Sequence, residues 1–141
     1  MKVKDLMTGA VEFVHPENSI TQAAKKMTRN NVGSLPVIND GQEAIGIITD
    51  RDITTRVVSR GLDPTEAKVT EAMTEDPVFC KESDDTQTAA EIMKDKQIRR
   101  LLVKDDEGNF IGIIALGDIA LNESKSLSGD VLEDISKPPS S

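Results

Sequence analysis

Aromatic residues are scarce in this 141-residue sequence, which has no tryptophan, no tyrosine and three phenylalanines. A core built from it must therefore be mostly aliphatic. The sequence also has a single cysteine, Cys80, which cannot form an internal disulfide and favours a reducing, cytoplasmic compartment. With one histidine, the sequence has no Cys/His ligand set for a metal ion and no Ser–His–acid set. We therefore predict neither an enzyme nor a required cofactor.

Positive charge is also in short supply, with 17 Lys and Arg against 25 Asp and Glu and a net charge of −8. A nucleic-acid surface needs clustered basic residues, so no nucleic-acid partner is predicted. The net charge is still compatible with a local basic pocket. The sequence has no apolar run of about 18 residues, so no membrane span is predicted. The N-terminus enters patterned sequence directly, without the apolar centre of a signal peptide.

What the sequence does contain is a tandem duplication. Shifting the chain by 66 positions, without a gap, makes 16 of the 51 positions from Val3 to Ile53 identical to their partners. The shared residues include Met7-Thr8, which repeats as Met73-Thr74. A copy of about 60 residues is marginally stable alone, so the two copies are expected to pack on each other.

Hydrophobic periodicity gives each copy the order strand, helix, strand, strand, helix. We predict strands at 11–14, 35–38, 44–48, 78–80, 100–104 and 110–114, and helices at 20–30, 50–60, 85–95 and 116–122. The predicted fold class is α+β, with three-stranded sheets packed around a pseudo-twofold axis. The predicted domains are repeat 1 at 1–61, a linker at 62–68, repeat 2 at 69–122 and a mobile tail at 123–141 with at most a short helix at 131–135.

The turn from strand 44–48 into the following helix is the main candidate site. Thr49 and Asp52 have the spacing of a capping box, and the free N–H groups and positive dipole end of a helix start accept anions. In the second copy Asp118 is kept, while Ala115 replaces the threonine. The alternative interpretation is purely structural, because a cap stabilises a helix by about 1 kcal/mol with or without a ligand.

Nearby arginines could supply positive charge for a phosphate. Arg99 and Arg100 enter a strand of the second copy, and adjacent strand residues point to opposite faces, so one of them is expected to face a cleft. Arg51 lies in the first turn of a helix, where a cation opposes the dipole, and a phosphate contact would explain it. The alternative is ordinary surface charge, since exposed ion pairs contribute only about 0–1 kcal/mol.

Two glycines, Gly46 and Gly112, stand inside predicted strands. Glycine weakens a strand, so its presence at both equivalent positions needs a reason. Close approach of a ligand or of the opposing copy would explain both, and a bulge is the alternative.

The combination of these features resembles a tandem pair of CBS domains, also called a Bateman module. It consists of Met-Thr before the first strand, a hydrophobic-Gly-hydrophobic-hydrophobic-Thr-x-x-Asp run after the hairpin, and a repeat distance of 66 residues. More narrowly, Thr49-Asp-Arg-Asp-Ile53 and Ile98-Arg-Arg-Leu101 are similar to the small stand-alone bacterial and archaeal CBS proteins. The resemblance covers residues 1–122.

The resemblance implies two clefts per pair that bind AMP, ADP, ATP or S-adenosylmethionine as an effector. It implies that the aspartate of the motif holds ribose, that the threonine helps hold ribose or phosphate, that basic residues before the second strand face phosphate, and that backbone near the first strand meets adenine. Ala115 departs from the motif in the second copy. With Arg51 added, the predicted nucleotide-binding residues are Thr49, Arg51, Asp52, Arg99, Arg100, Asp118, Val11 and Val78.

The resemblance also implies a disc-like homodimer with a regulatory role. Nucleotide binding would brace the two copies and change a surface seen by an unidentified protein target, within the limit set by the ligand's differential affinity. The alternative is a ligand-free dimerisation or scaffold module, in which Thr49 and Asp52 only cap a helix.

Overall fold

A computed structural model describes residues 1–9 and 11–128 of the chain. Its contacts divide the chain into two compact units, and each unit has its own sheet. We call Ala10–Val78 the inner unit, and Met1–Gly9 with the residues from Phe79 onward the split unit. Helices and strands occur in both units, so the predicted α+β class is confirmed.

The elements are numbered in chain order. They are α1 (Val3–Leu6), β1 (Thr8–Gly9), α2 (Ile20–Asn30), β2 (Ser34–Ile38), β3 (Ala44–Thr49), α3 (Asp50–Ile53) continued by a π-helical turn (Thr54–Val58), a 3-10 turn (Val69–Glu71), β4 (Thr74–Glu75), β5 (Phe79–Lys81), α4 (Thr86–Lys96), β6 (Arg100–Lys104), β7 (Phe110–Ala115) and α5 (Leu116–Ser128). None of the helices in the described part of the chain is both long enough and apolar enough to cross a membrane.

The inner unit has a three-stranded sheet, in the order β2-β3-β4 with antiparallel pairing throughout. Its third strand is β4, whereas the sequence predicted a strand at 11–14 in that role. Helix α2 begins at Ser19, whose side chain accepts a hydrogen bond from the Gln22 N–H, and ends at Asn31 in the left-handed conformation. Apolar residues at helical spacing then bury one face of α2. The shared core consists of Ile20, Ala23 and Met27 of α2, Leu35, Val37 and Ile48 of the sheet, and Val14, Val57, Ala67, Val69, Ala72 and Met73.

The split unit has a four-stranded sheet instead of the predicted three-stranded one, in the order β1-β7-β6-β5. Strands β5 and β6 are parallel, whereas the other two pairs are antiparallel. Helices α4 and α5 contact each other and contact β6 and β7 respectively. The pairing of β6 with β7 repeats that of β2 with β3 residue for residue, including the irregularity after Val103 and Val37.

The duplicated Met-Thr segments explain the two strand glycines. Strand β4, near the start of the second copy, pairs with β3 of the first, and β1, near the start of the first copy, pairs with β7 of the second. A Cβ atom at Gly46 would lie 2.8 Å from the Thr74 carbonyl oxygen, and one at Gly112 would lie 2.6 Å from that of Thr8. Close approach of the opposing copy's lead-in strand is therefore the reason for both glycines.

Three predicted elements differ from the structure. The strand at 11–14 is reduced to a single bridge between Val14 and Val37, next to Pro16, which lacks an N–H group for a ladder. The helix at 50–60 changes to π-helical after Ile53, where Thr54 and Thr55 hydroxyls bond the carbonyls four residues earlier. Helix α5 continues to Ser128 instead of ending near 122, and the short helix predicted at 131–135 lies outside the described residues.

Candidate functional site

The strand-to-helix turn of the inner unit forms the predicted capping box. The Thr49 hydroxyl accepts a hydrogen bond from the Asp52 N–H at 3.0 Å, and Asp52 Oδ2 accepts one from the Thr49 N–H at 3.0 Å. The Asp52 side chain is 13% exposed, so its carboxylate is held in a largely enclosed position. Because the box satisfies two backbone groups by itself, its presence is compatible with both the structural and the ligand-binding interpretation.

The second repeat keeps half of this arrangement. Asp118 Oδ2 accepts a hydrogen bond from the Ala115 N–H at 3.1 Å, in the place that Asp52 takes on Thr49. Ala115 has no hydroxyl to accept the reciprocal bond from the N–H of Asp118. The aspartate thus accepts the equivalent backbone hydrogen bond in both repeats, although only the first has the full cap.

Completing the second cap should stabilise the protein. We expect Ala115→Thr to raise the free energy of unfolding by about 1 kcal/mol relative to Ala115→Val, because threonine and valine have the same shape and only threonine can accept the N–H bond. Chemical denaturation of the two variants measures this difference. Equal stabilities would mean that the hydroxyl does not reach the Asp118 N–H in this repeat.

Arg56 is a site residue that the sequence interpretation did not assign. Its Nε lies 4.0 Å from Asp52 Oδ1, the carboxylate oxygen that the cap does not use. Its Nη1 donates hydrogen bonds to the carbonyl oxygens of Ala72, at 3.2 Å, and Met73, at 2.9 Å. The spacing of four residues from Asp52 was a signal for the ion pair, but the carbonyl contacts come from a distant part of the chain.

Two arginines and an aspartate of the second repeat are brought together by the backbone. Arg100 lies directly opposite Ala115 in the pairing of β6 with β7. The Arg99 carbonyl accepts a hydrogen bond from the Leu116 N–H at 2.8 Å, at the start of the helix that carries Asp118. In the inner unit, the equivalent positions are occupied by Gly33 and Ser34, so only the second repeat has this positive charge.

Alternation along the strands tells which face of the sheet Arg100 occupies. In the inner unit, Leu35 and Ile48 belong to the core shared with helix α2, so their strand neighbours Ser34 and Thr49 point to the opposite face. Arg100 is the counterpart of Ser34, and it is half-buried, whereas Arg99 is exposed. We therefore assign Arg100, rather than Arg99, to the sheet face that carries the motif threonine in the first repeat.

Three predicted residues, Arg51, Val11 and Val78, lie outside the contacts described so far. Arg51 is exposed in the first turn of α3, and its N–H donates to Asp50 Oδ1 at 2.8 Å. Val11 and Val78 are half-buried and lie outside any strand, since β5 begins one residue after Val78. Thr49, Arg51, Asp52, Val11 and Val78 belong to the inner unit, whereas Arg99, Arg100 and Asp118 belong to the split unit.

The inner unit also has a groove of about 620 Å³ between α2 and the start of α3, and none of the predicted site residues lines it. It is lined by Ala24, Met27, Thr28, Asn31, Val32, Gly33, Asp50, Ile53 and Thr54. Gly33 leaves room for the Asp50 carboxylate, because a Cβ atom there would lie 3.0 Å from Asp50 Oδ2. This groove borders the helices, whereas Thr49 points to the other side of the sheet.

Shifted pKa values occur at two loop aspartates and at Cys80 in β5. Hydrogen bonds from Thr65 lower the pKa of Asp63, and those from Asn109 and its neighbours lower the pKa of Asp105 in the β6–β7 turn. Burial, with a smaller contribution from Asp84, raises the pKa of the Cys80 thiol to about 11. Cys80 is therefore protonated at neutral pH and packs as a small apolar residue, 4% exposed. Among the described residues, no group of three or more His, Cys, Asp or Glu could hold a metal ion.

The comparisons with known proteins agree on one protein family. The CBS domain family model matches residues 3–59 and 69–124 of the chain. The CBS domain-containing protein YhcV of Bacillus subtilis is 39% identical over 135 residues, which cover 95% of this chain and 94% of YhcV. CBSX2 of Arabidopsis thaliana, in a crystal structure with AMP, is 27% identical with a TM-score of 0.74, and the match covers 91% of this chain and 98% of that one.

A second solved structure carries a different ligand. Hypoxic Response Protein I, whose crystal structure contains two coordinated zinc ions, is 29% identical with a TM-score of 0.75. The match covers 85% of this chain and 97% of that one. One of these two structures thus holds a nucleotide and the other holds metal ions, so the ligand has to be argued from the side chains of each protein.

Proposed function

Because the chain belongs to the CBS-domain family, with two CBS domains in tandem, we propose that it is a regulatory module that binds an adenine nucleotide or another adenosyl ligand. The observation that carries the proposal is the aspartate at the strand-to-helix turn of both repeats, held through Oδ2 by a backbone N–H. Its other oxygen lies outside the cap and is suited to accept hydrogen bonds from ribose hydroxyls.

The positive charge of the second repeat supports a phosphate group on the ligand. Arg100 stands opposite Ala115, the residue whose N–H is bound by Asp118. In a protein of net charge −8, a half-buried arginine beside a motif aspartate is suited to bind phosphate, because guanidinium groups bind phosphate through paired hydrogen bonds. The AMP bound to the related CBSX2 supports the same ligand class. We assign Thr49 and Arg51 to the first repeat's site, and Val11 and Val78 to the adenine side, as parts of this proposal.

The second candidate function is a ligand-free dimerisation or scaffold module. It is favoured by the complete capping box, in which Thr49 and Asp52 satisfy each other's backbone groups without any ligand. A homodimer, a protein target, a cytoplasmic location and the absence of catalysis are compatible with both candidates. Light scattering of the purified protein tests the dimer directly.

A thermal-shift panel separates the two candidates. We expect AMP, ADP or ATP at about 100 times its dissociation constant to stabilise the protein by about 2.7 kcal/mol, which raises Tm by several degrees. S-adenosylmethionine and NAD complete the adenosyl panel, and GMP and ribose 5-phosphate serve as controls for the base and for the phosphate. If no adenosyl compound raises Tm at millimolar concentration, the scaffold function is the better account.

A further inference from the structure

Arg56 connects Asp52 of the first repeat to the segment that begins the second repeat. On one side its Nε faces Asp52 Oδ1 at 4.0 Å, and on the other its Nη1 bonds the carbonyls of Ala72 and Met73. We infer that Arg56 is a positioning residue that couples the state of the Asp52 carboxylate to strand β4. The consequence for ligand binding rests on the function proposed above, whereas the coupling itself can be tested without a ligand.

The lead-in strand has few other attachments. Strand β4 has two residues, both exposed, and pairs with β3 only through Thr74 with Ile47 and Glu75 with Gly46. The two carbonyls that Arg56 holds come directly before this short ladder. Hydrogen bonds to a charged donor contribute more than neutral ones, so loss of the guanidinium should affect the local stability of β4 first.

The guanidinium is planar, so its two contacts are not independent. If the Asp52 carboxylate is fixed by ribose hydroxyls, Nε of Arg56 has a fixed partner, and Nη1 is then held more tightly on the Ala72 and Met73 carbonyls. The two effects must be reciprocal: a ligand that orders β4 through Arg56 binds more tightly when β4 is ordered. Arg56 would therefore transmit ligand binding at Asp52 in the first repeat to the segment that begins the second repeat.

The residue that provides this coupling in the first repeat is replaced in the second. The counterpart of Arg56 in the second repeat is Asn122, and the counterparts of Ala72 and Met73 are Leu6 and Met7. Asn122 carries no charge to pair with Asp118, so the equivalent connection to β1 does not exist in the same form. Asn122→Arg would place a guanidinium four residues after Asp118, which makes it a matched gain-of-function variant.

The first experiment uses the ligand-free protein. Hydrogen exchange by NMR at residues 73–75 should become roughly tenfold faster in Arg56→Met, and faster by a smaller factor in Arg56→Lys, which keeps the charge but not the planar fork. Asp52→Asn should also speed exchange there, and the double variant should exchange no faster than Arg56→Met alone. An Asp52→Asn variant with unchanged exchange at 73–75, or fully additive effects, would overturn the inference.

The second experiment adds AMP as the probe. AMP should slow exchange at residues 73–75 by several-fold in the parent, and this effect should be lost in Arg56→Met. In Asn122→Arg, exchange at Thr8 and Gly9 should become slower on AMP addition, an effect that we do not expect in the parent. If AMP binds but slows residues 73–75 equally in Arg56→Met, the inference fails and the proposed function stands. If AMP does not bind, the proposed function fails for this ligand, and the ligand-free comparison alone decides the inference.

Discussion

Replacing Gly112 by alanine is expected to lower the free energy of unfolding by about 3 kcal/mol, at the upper end of the cost of overpacking. The added Cβ atom would lie 2.6 Å from the Thr8 carbonyl oxygen, a backbone atom that cannot move without breaking the pairing of β1 with β7. The strand must therefore separate, or the sheet must bend. Urea denaturation, with the midpoint compared between parent and variant, measures the loss.

Gly9 offers a matched control because it lies directly opposite Gly112 in the same ladder. A Cβ atom at Gly9 would meet only the Ile111 carbonyl, at 3.9 Å, so Gly9→Ala should change stability by no more than about 0.5 kcal/mol. Gly46→Ala should be intermediate, since its Cβ atom would lie 2.8 Å from the Thr74 carbonyl oxygen, a milder clash than at Gly112, and its other close neighbour is the flexible Met73 sulfur at 2.9 Å. Equal effects of Gly9→Ala and Gly112→Ala would mean that chain entropy, rather than the approach of Thr8, sets the cost.

The duplication is what made most of the fold predictable. Identical residues at a spacing of 66 positions predicted equivalent hairpins, and the pairing of β2 with β3 and of β6 with β7 has the same register. Periodicity and caps also predicted α2 closely, because Ser19 and Asn31 provide clear start and stop signals. Local chemistry therefore accounts for the elements whose ends are set by neighbouring residues.

What could not be predicted depends on contacts between distant parts of the chain. Nothing in the sequence indicates that the Met-Thr segments pair with the sheet of the opposite copy, so neither β1 in the split unit nor β4 in the inner unit was predicted. Likewise, the carbonyls bound by Arg56 lie 16 and 17 residues further along the chain. Backbone acceptors leave no signature in side-chain patterns, so such contacts appear only in three dimensions.

The two repeats differ at several positions that we propose to contact a ligand. The first has the threonine hydroxyl and Arg56 but no arginine at Gly33 or Ser34, whereas the second has Arg99 and Arg100 but no hydroxyl at Ala115. A ligand with both a ribose and a phosphate would thus meet different partners in each repeat. We therefore expect the two sites to differ in affinity, and titrations should be fitted with two independent constants.

The largest expected effect on binding comes from the aspartates. Asp52→Asn together with Asp118→Asn should weaken AMP binding by roughly 10- to 100-fold, because each carboxylate would lose charge-assisted hydrogen bonds from ribose hydroxyls. Asparagine keeps an oxygen that can accept the N–H of Thr49 or Ala115, so the helix starts should persist. Isothermal titration calorimetry of the single and double variants assigns the loss to each repeat.

The 2′-deoxy analogue of AMP makes the test specific for the sugar. The parent should bind AMP more tightly than 2′-deoxy-AMP, and this preference should disappear in the double variant, since the group that distinguishes the two ligands is gone. Asp50→Asn is the matched control for Asp52→Asn, because it removes one charge from an exposed neighbour whose carboxylate bonds only the Arg51 N–H among the described contacts. A preference for AMP that persists in the double variant would show that another group holds the ribose, and the aspartates would then be helix caps alone.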